Sequence, residues 1–139
     1  MLAGRLRAES KWFQPNGQIL CYPVITSGEF AHKGSFENLI GEGQEELRKK
    51  MSLEYQVNRD TPRTFIWHAF GDDCVPVENS ILFMQALRKC NIPTEFHLYE
   101  KGGHGLGTAG KLTCNRDGSK IQKECETWMG LAEMWIENA

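Results

Sequence analysis

The sequence predicts an α/β protein in which helices flank a parallel sheet. Three strand-like runs alternate with helical segments in the order strand, helical excursion, strand, helix, strand, helix. The first two runs are apolar almost throughout, which is typical of strands that helices cover on both faces. Connections of this kind favour right-handed crossovers between parallel strands. We therefore expect the strands to be neighbours in chain order, with the second in the centre.

The strands are predicted at residues 18–26, 63–70 and 94–100. Pro62 introduces the second run and Pro93 introduces the third. The third run alternates more than the others, with Phe96 and Leu98 pointing one way and His97 the other.

Two segments show helical spacing. In residues 77–91, an apolar stripe is predicted to pass through Ile81, Met84, Leu87 and the stem of Arg88. Residues 119–139 repeat apolar side chains at intervals of three to four, at Ile121, Cys125, Trp128, Leu131, Ala132, Trp135 and Ile136. Residues 27–60 are too long for a plain connection, and their short helix-like pieces predict a helical excursion over one end of the sheet.

The composition fits one globular domain and argues against nucleic acid and membrane as partners. The chain has 139 residues, of which 40% are hydrophobic and 24% charged. A net charge of -2 leaves no basic excess for nucleic acid. No apolar run approaches the length of a membrane span, and the N-terminus lacks the apolar core of a secretory signal.

Five cysteines are present, and their spacing favours free thiols. The number is odd and no pair has C-x-x-C spacing, so neither a zinc site nor a disulfide framework is expected. Free thiols suit a reducing cytoplasm, where we expect the protein to be. A bridge between Cys114 and Cys125 is the alternative.

Two short motifs follow successive predicted strands. Asp72 and Asp73 lie in "GDDCVP" after the second strand, and His104 lies in "KGGHGLG" after the third. Carboxyl ends of parallel strands share one edge of a sheet, so these loops should lie side by side. A carboxylate that accepts a hydrogen bond from one histidine nitrogen fixes the tautomer and stabilises the imidazolium. The alternatives are a simple turn and cap at the aspartates, a glycine loop with a surface histidine, and a metal site.

These motifs resemble a known family. "HAFGDDCVPVENS" and "YEKGGHGLG" are similar to the acid and histidine loops of α/β-hydrolase-fold esterases, in particular the acetyl-xylan esterase and xylanase-like lipase/esterase group related to dienelactone hydrolase and prolyl oligopeptidase. "LCYPVITSGEFAHKGSFENLIGE" resembles the strand and excursion of that group. The resemblance implies that Asp72, rather than Asp73, is the catalytic acid and that His104 is the base. It implies a structural role for the strand-end His68. We expect no catalytic role for His32 or His97.

The resemblance also implies a nucleophile that the sequence does not show. The family's G-x-S-x-G elbow would precede the first strand, but no serine in the sequence has that context. Ser10 lacks flanking glycines, and Ser27 comes after the place where the elbow should be. The loop of the oxyanion hole is also missing. The expectation is a single partial domain over residues 1–139, the C-terminal portion of an α/β-hydrolase fold, with residues 1–17 unassigned.

The expected function is therefore that of a serine esterase on acetylated sugars or small esters, without metal or cofactor. Asp72 would orient His104, which would act as general base and then general acid. The chain alone is expected to be inactive, because triad members act as a unit. The alternative is a non-catalytic, truncated remnant that serves as a structural or interaction module. The first strand is expected to have an uncovered apolar edge, through which the chain could self-associate.

Overall fold

A computed structural model describes residues 15–138. The strands are β1 (Gly17–Cys21), β2 (Arg63–Ala69) and β3 (Thr94–Tyr99). The helices are α1 (Lys33–Ile40), α2 (Glu45–Lys50), α3 (Glu78–Lys89), α4 (Lys123–Glu126) and α5 (Trp128–Glu137), with a short 3₁₀ helix at Leu53–Tyr55. Within this described range, no helix has the length and apolarity of a membrane span.

The strands form one parallel sheet in the order β1-β2-β3. Ile19 is paired with Phe65 in the register of β1 and β2, and Trp67 is paired with His97 in that of β2 and β3. The predicted fold class, strand order and strand direction are confirmed. The helices α1 and α2 and the 3₁₀ helix all lie in the long connection between β1 and β2.

The first strand is shorter than its apolar run predicts. It ends at Cys21 rather than residue 26, because Tyr22 has a φ of 38° and so leaves the extended conformation. Pro23 follows and has no N–H to continue the ladder. The predictions for the other two strands were one residue too long, since β2 ends at Ala69 and β3 at Tyr99.

The core has two halves, one on each face of β2. Phe65 and Trp67 point to one side, where Leu106, Ala109, Cys125 and Ala132 are buried against them. Ile66 points to the other side, into a cluster that also contains Ile25, Phe83, Leu87 and Ile92. Burial of β2 on both faces explains why its sequence is apolar without alternation.

Two helix predictions need correction. The buried face of α3 consists of Asn79, Ser80, Phe83 and Leu87, whereas Arg88 of the predicted stripe is exposed. The segment 119–139 is not one helix, because α4 and α5 are separated at Thr127 and residues 119–122 are not helical. Ile121 and Ile136 are exposed, while the other predicted apolar positions pack in the core cluster, at Cys125, Trp128, Leu131, Ala132 and Trp135.

Candidate functional site

Asp72 is held by the turn that follows β2. Its Oδ1 atom accepts hydrogen bonds from the backbone N–H groups of Cys74 and Val75, at 3.0 and 2.9 Å. Its side chain is fully buried, whereas the neighbouring Asp73 is exposed to solvent. The turn therefore presents one carboxylate to the interior of the site and the other to water.

The loop after β3 passes very close to the end of β2. Gly102 has a φ of 130°, and a Cβ atom there would lie 2.9 Å from Cβ of Ala69 and 3.1 Å from Sγ of Cys125. Both the dihedral angle and the space demand glycine at this position. The starts of the two loops are also joined, because the N–H of Phe70, directly after β2, donates to the carbonyl of Tyr99, the last residue of β3, at 2.7 Å. The close approach brings His104 next to Asp72.

His104 and Asp72 form a direct hydrogen bond. Nδ1 of His104 lies 2.9 Å from Oδ2 of Asp72. An ionised carboxylate can only accept, so Nδ1 carries the hydrogen and Nε2 of the neutral ring keeps its lone pair. Among residues 15–138, Nε2 forms no hydrogen bond, and the side chain of His104 is 32% exposed. The arrangement can accept a proton at Nε2 while Asp72 stabilises the resulting cation.

Hydrogen bonds keep the buried carboxylate of Asp72 ionised. Burial by itself raises the pKa of Asp72, but the hydrogen bonds from Val75, His104 and Cys74 together outweigh burial and lower that pKa. The acid is therefore a carboxylate at neutral pH despite having no contact with solvent.

A second histidine lies on the buried side of Asp72. Nε2 of His68 is 3.2 Å from Oδ2 of Asp72, and neither side chain has any exposed area. Burial is the largest influence on His68 and lowers its pKa, although Asp72 acts in the opposite direction. His68 stands four residues before Asp72 in the sequence, but that spacing alone does not show that the two side chains meet.

Tyr22, which was not predicted to lie in the site, contacts His104. Its ring packs against the rings of both Trp67 and His104, with centroid separations of 5.0 and 4.8 Å. Its hydroxyl accepts a hydrogen bond from the N–H of Gly107 at 3.2 Å, and the indole N–H of Trp128 donates to the carbonyl of Gly107 at 3.0 Å. Two aromatic side chains therefore hold the loop that carries His104.

The other histidines and the described serines have other partners. His32 caps α1 and contacts Ser35, and His97 contacts Glu95. Ser27 is hydrogen bonded to Ser52, and in residues 15–138 no serine is hydrogen bonded to His104. Ser10 lies outside the described residues.

Neither a disulfide nor a cluster of metal ligands is present in residues 15–138. All five cysteines are free, so the alternative bridge between Cys114 and Cys125 is not formed. In the part of the chain that is described, no group of three or more His, Cys, Asp and Glu side chains is placed to hold a metal ion.

The sequence of residues 20–117 matches the prolyl oligopeptidase family, Peptidase_S9. The chain belongs to this family. It is also 47% identical over 98 residues to endo-1,4-beta-xylanase B of Butyrivibrio fibrisolvens, an alignment that covers 69% of the chain and 15% of the xylanase. The family membership confirms the resemblance that the acid and histidine loops indicated.

Solved structures agree with this assignment. An acetyl ester-xyloside bifunctional hydrolase from Caldicellulosiruptor lactoaceticus has a TM-score of 0.80 and 40% identity over 91% of this chain and 43% of its own. MGS-M1, an alpha/beta hydrolase enzyme from a Medee basin deep-sea metagenome library, has a TM-score of 0.71 and 28% identity over 90% of this chain and 44% of its own. The fold is therefore that of the α/β-hydrolase esterases, and the chain spans less than half the length of either of these solved relatives.

Proposed function

We propose that Asp72 and His104 are the acid and the base of a serine ester hydrolase that acts on acetylated sugars or small esters. The single observation that supports this most is the 2.9 Å hydrogen bond from Nδ1 of His104 to a buried, ionised Asp72. This bond sets the tautomer that a general base requires. Similarity to an acetyl ester-xyloside hydrolase supports the choice of substrate.

His104 would act twice in the reaction. Nε2 takes the proton of a serine hydroxyl as the oxygen attacks the ester carbonyl, and then gives that proton to the departing alcohol. The acyl group stays on the serine until water attacks it. The same nitrogen takes the proton of that water and passes it to the serine oxygen as the carboxylic acid leaves. Asp72 stays ionised and stabilises the imidazolium in both steps.

The serine and the oxyanion donors would come from polypeptide other than residues 15–138. The described serines are hydrogen bonded to groups other than His104. Ser27, for example, is bonded to Ser52, and Ser80 to His68. The chain spans 43% of the acetyl ester-xyloside hydrolase, so the remainder of that protein can supply the missing groups in an experiment.

A chimaera tests the proposed function. Residues 15–138 replace the matching part of the Caldicellulosiruptor hydrolase, and hydrolysis of p-nitrophenyl acetate is measured. We expect activity that falls by roughly 10⁶-fold in His104→Gln and by roughly 10⁴-fold in Asp72→Asn. The control variants are Asp73→Asn, at the exposed neighbour, and His97→Gln, on the adjacent strand; both should retain activity. A folded but inactive chimaera would instead favour a structural or interaction module.

A further inference from the structure

The environment of His68 is more specific than packing alone requires. Its Nε2 atom lies 3.2 Å from Oδ2 of Asp72 and 3.0 Å from the carbonyl oxygen of Val75. Its Nδ1 atom lies 2.7 Å from Oγ of Ser80, on the first turns of α3. Both ring nitrogens of a fully buried histidine are therefore in contact with polar groups.

The chemistry of these neighbours determines the tautomer of His68. A carboxylate and a backbone carbonyl are acceptors only, so the nitrogen between them, Nε2, must carry a hydrogen. A neutral ring then has its lone pair on Nδ1, where the hydroxyl of Ser80 can donate. Burial lowers the pKa of His68 and keeps the ring neutral, although Asp72 opposes this effect and the cation of His104 reinforces it.

We propose that His68 is a positioning residue whose neutral Nε2–H donates to the carbonyl of Val75 and lies against Oδ2 of Asp72, while Ser80 donates to Nδ1. This inference rests on the proposed roles of Asp72 and His104. The bond from His68 holds Val75 in place. The N–H groups of Val75 and Cys74 in turn donate to Oδ1 of Asp72, and Oδ2 accepts from His104. With both oxygens held, the carboxylate cannot rotate away from His104.

The neutrality of His68 is essential to this role. A cation at His68 would share the negative charge of Asp72 and weaken the stabilisation of protonated His104. A neutral ring holds the turn around Asp72 and leaves the charge of the carboxylate available for His104. Burial lowers the pKa of His68 and so favours the neutral form.

Nitrogen NMR on the chain itself tests the tautomer without any need for activity. Long-range ¹⁵N–¹H correlations at pH 7 should show a neutral His68 ring with a hydrogen on Nε2 only. In Ser80→Ala the Nδ1 resonance should shift, because this nitrogen loses its hydrogen-bond donor, while Ser119→Ala, at an exposed serine, should match the parent. A hydrogen on Nδ1, or a cationic ring at pH 7, would overturn the proposal.

Three substitutions at His68 and Ser80 separate positioning from packing. In the esterase chimaera, His68→Leu should lower kcat by roughly fivefold or more with little change in KM, the factor that loss of one hydrogen bond corresponds to. His68→Gln, which keeps an N–H donor, should recover part of the loss. Ser80→Ala should lower kcat in the same direction and remains informative if His68→Leu does not fold. Equal kcat in all of these variants would contradict a positioning role.

The two proposals can fail separately. A parent chimaera without activity would contradict the proposed function, while the tautomer of His68 in the chain would still be decided by NMR. Conversely, an active chimaera with the wrong tautomer at His68 would leave the esterase proposal intact and exclude the positioning role.

Discussion

The ring of Tyr22 packs edge-on against the ring of His104, with 4.8 Å between the centroids and 66° between the planes. Tyr22 has a φ of 38°, in a region that a non-glycine residue seldom occupies. The bulk of the tyrosine ring at this point fills the space beside His104, and its hydroxyl holds Gly107 of the same loop. Tyr22, directly after β1, therefore supports His104, which lies in the loop after β3.

Replacing Tyr22 with phenylalanine should cost a small amount of stability. The variant keeps the ring beside His104 but leaves the N–H of Gly107 without its acceptor, which corresponds to about 1 kcal/mol in the free energy of unfolding. Denaturant titration measures the change. The matched control is Tyr55→Phe at a side chain that is 81% exposed, where we expect no change. Equal stability of parent and Tyr22→Phe would contradict the role given to the hydroxyl.

The contact between Tyr22 and His104 could not be predicted from the sequence. The run 18–26 is apolar and contains Tyr22 in its middle, so a continuous strand was the natural prediction. The left-handed conformation at Tyr22 is maintained by tertiary contacts with Trp67 and His104, which no local pattern contains. Strained non-glycine residues of this kind depend on the surrounding structure.

The contact between Asp72 and His104, in contrast, followed from topology. Both residues come after apolar runs that form adjacent parallel strands, and such strands end at a common edge. The buried face of α3 was harder to predict, because it includes Asn79 and Ser80, which are polar. Asn79 is buried because its amide binds backbone groups at Ile25 and Phe30, and Ser80 because it contacts His68. A purely apolar stripe could not reveal a helix face that is partly polar.

Substitution of Gly102 with alanine should be strongly destabilising. A Cβ atom at this position would lie 2.9 Å from Ala69, and the φ of 130° is unfavourable for any L side chain. We expect a loss of more than about 2 kcal/mol in the free energy of unfolding. Gly103→Ala is the matched control, since nothing lies within 4 Å of its Cβ position, and it should change stability by less than about 0.5 kcal/mol. Thermal denaturation that shows equal losses for the two variants would be inconsistent with this account.

The burial of His68 should make stability depend on pH. Its pKa is lowered in the native state, so below about pH 6.5 the unfolded chain binds a proton that the native protein excludes. The contribution of His68 to the free energy of unfolding is therefore fully present above that pH. It is lost as the pH falls towards the pKa of His68 in the native state. The slope reaches at most about 1.4 kcal/mol per pH unit for one group. His68→Gln, which does not titrate, should show a smaller slope than the parent between pH 7 and 5, and identical slopes would argue against a neutral, buried His68.

The purified chain should not use His104 to hydrolyse an activated ester. In residues 15–138 no serine is hydrogen bonded to His104, so these residues supply no alkoxide. Without oxyanion donors a tetrahedral intermediate is also unsupported. Loss of a single such donor lowers the rate by roughly 10²–10³-fold. The rates with p-nitrophenyl acetate should therefore be equal for the parent, His104→Ala and Asp72→Ala. A burst with one acylated site per chain would contradict this prediction. Mapping of the acyl group would then show whether the nucleophile is Ser10 or Ser27. In the structure the hydroxyl of Ser27 is hydrogen bonded to Ser52.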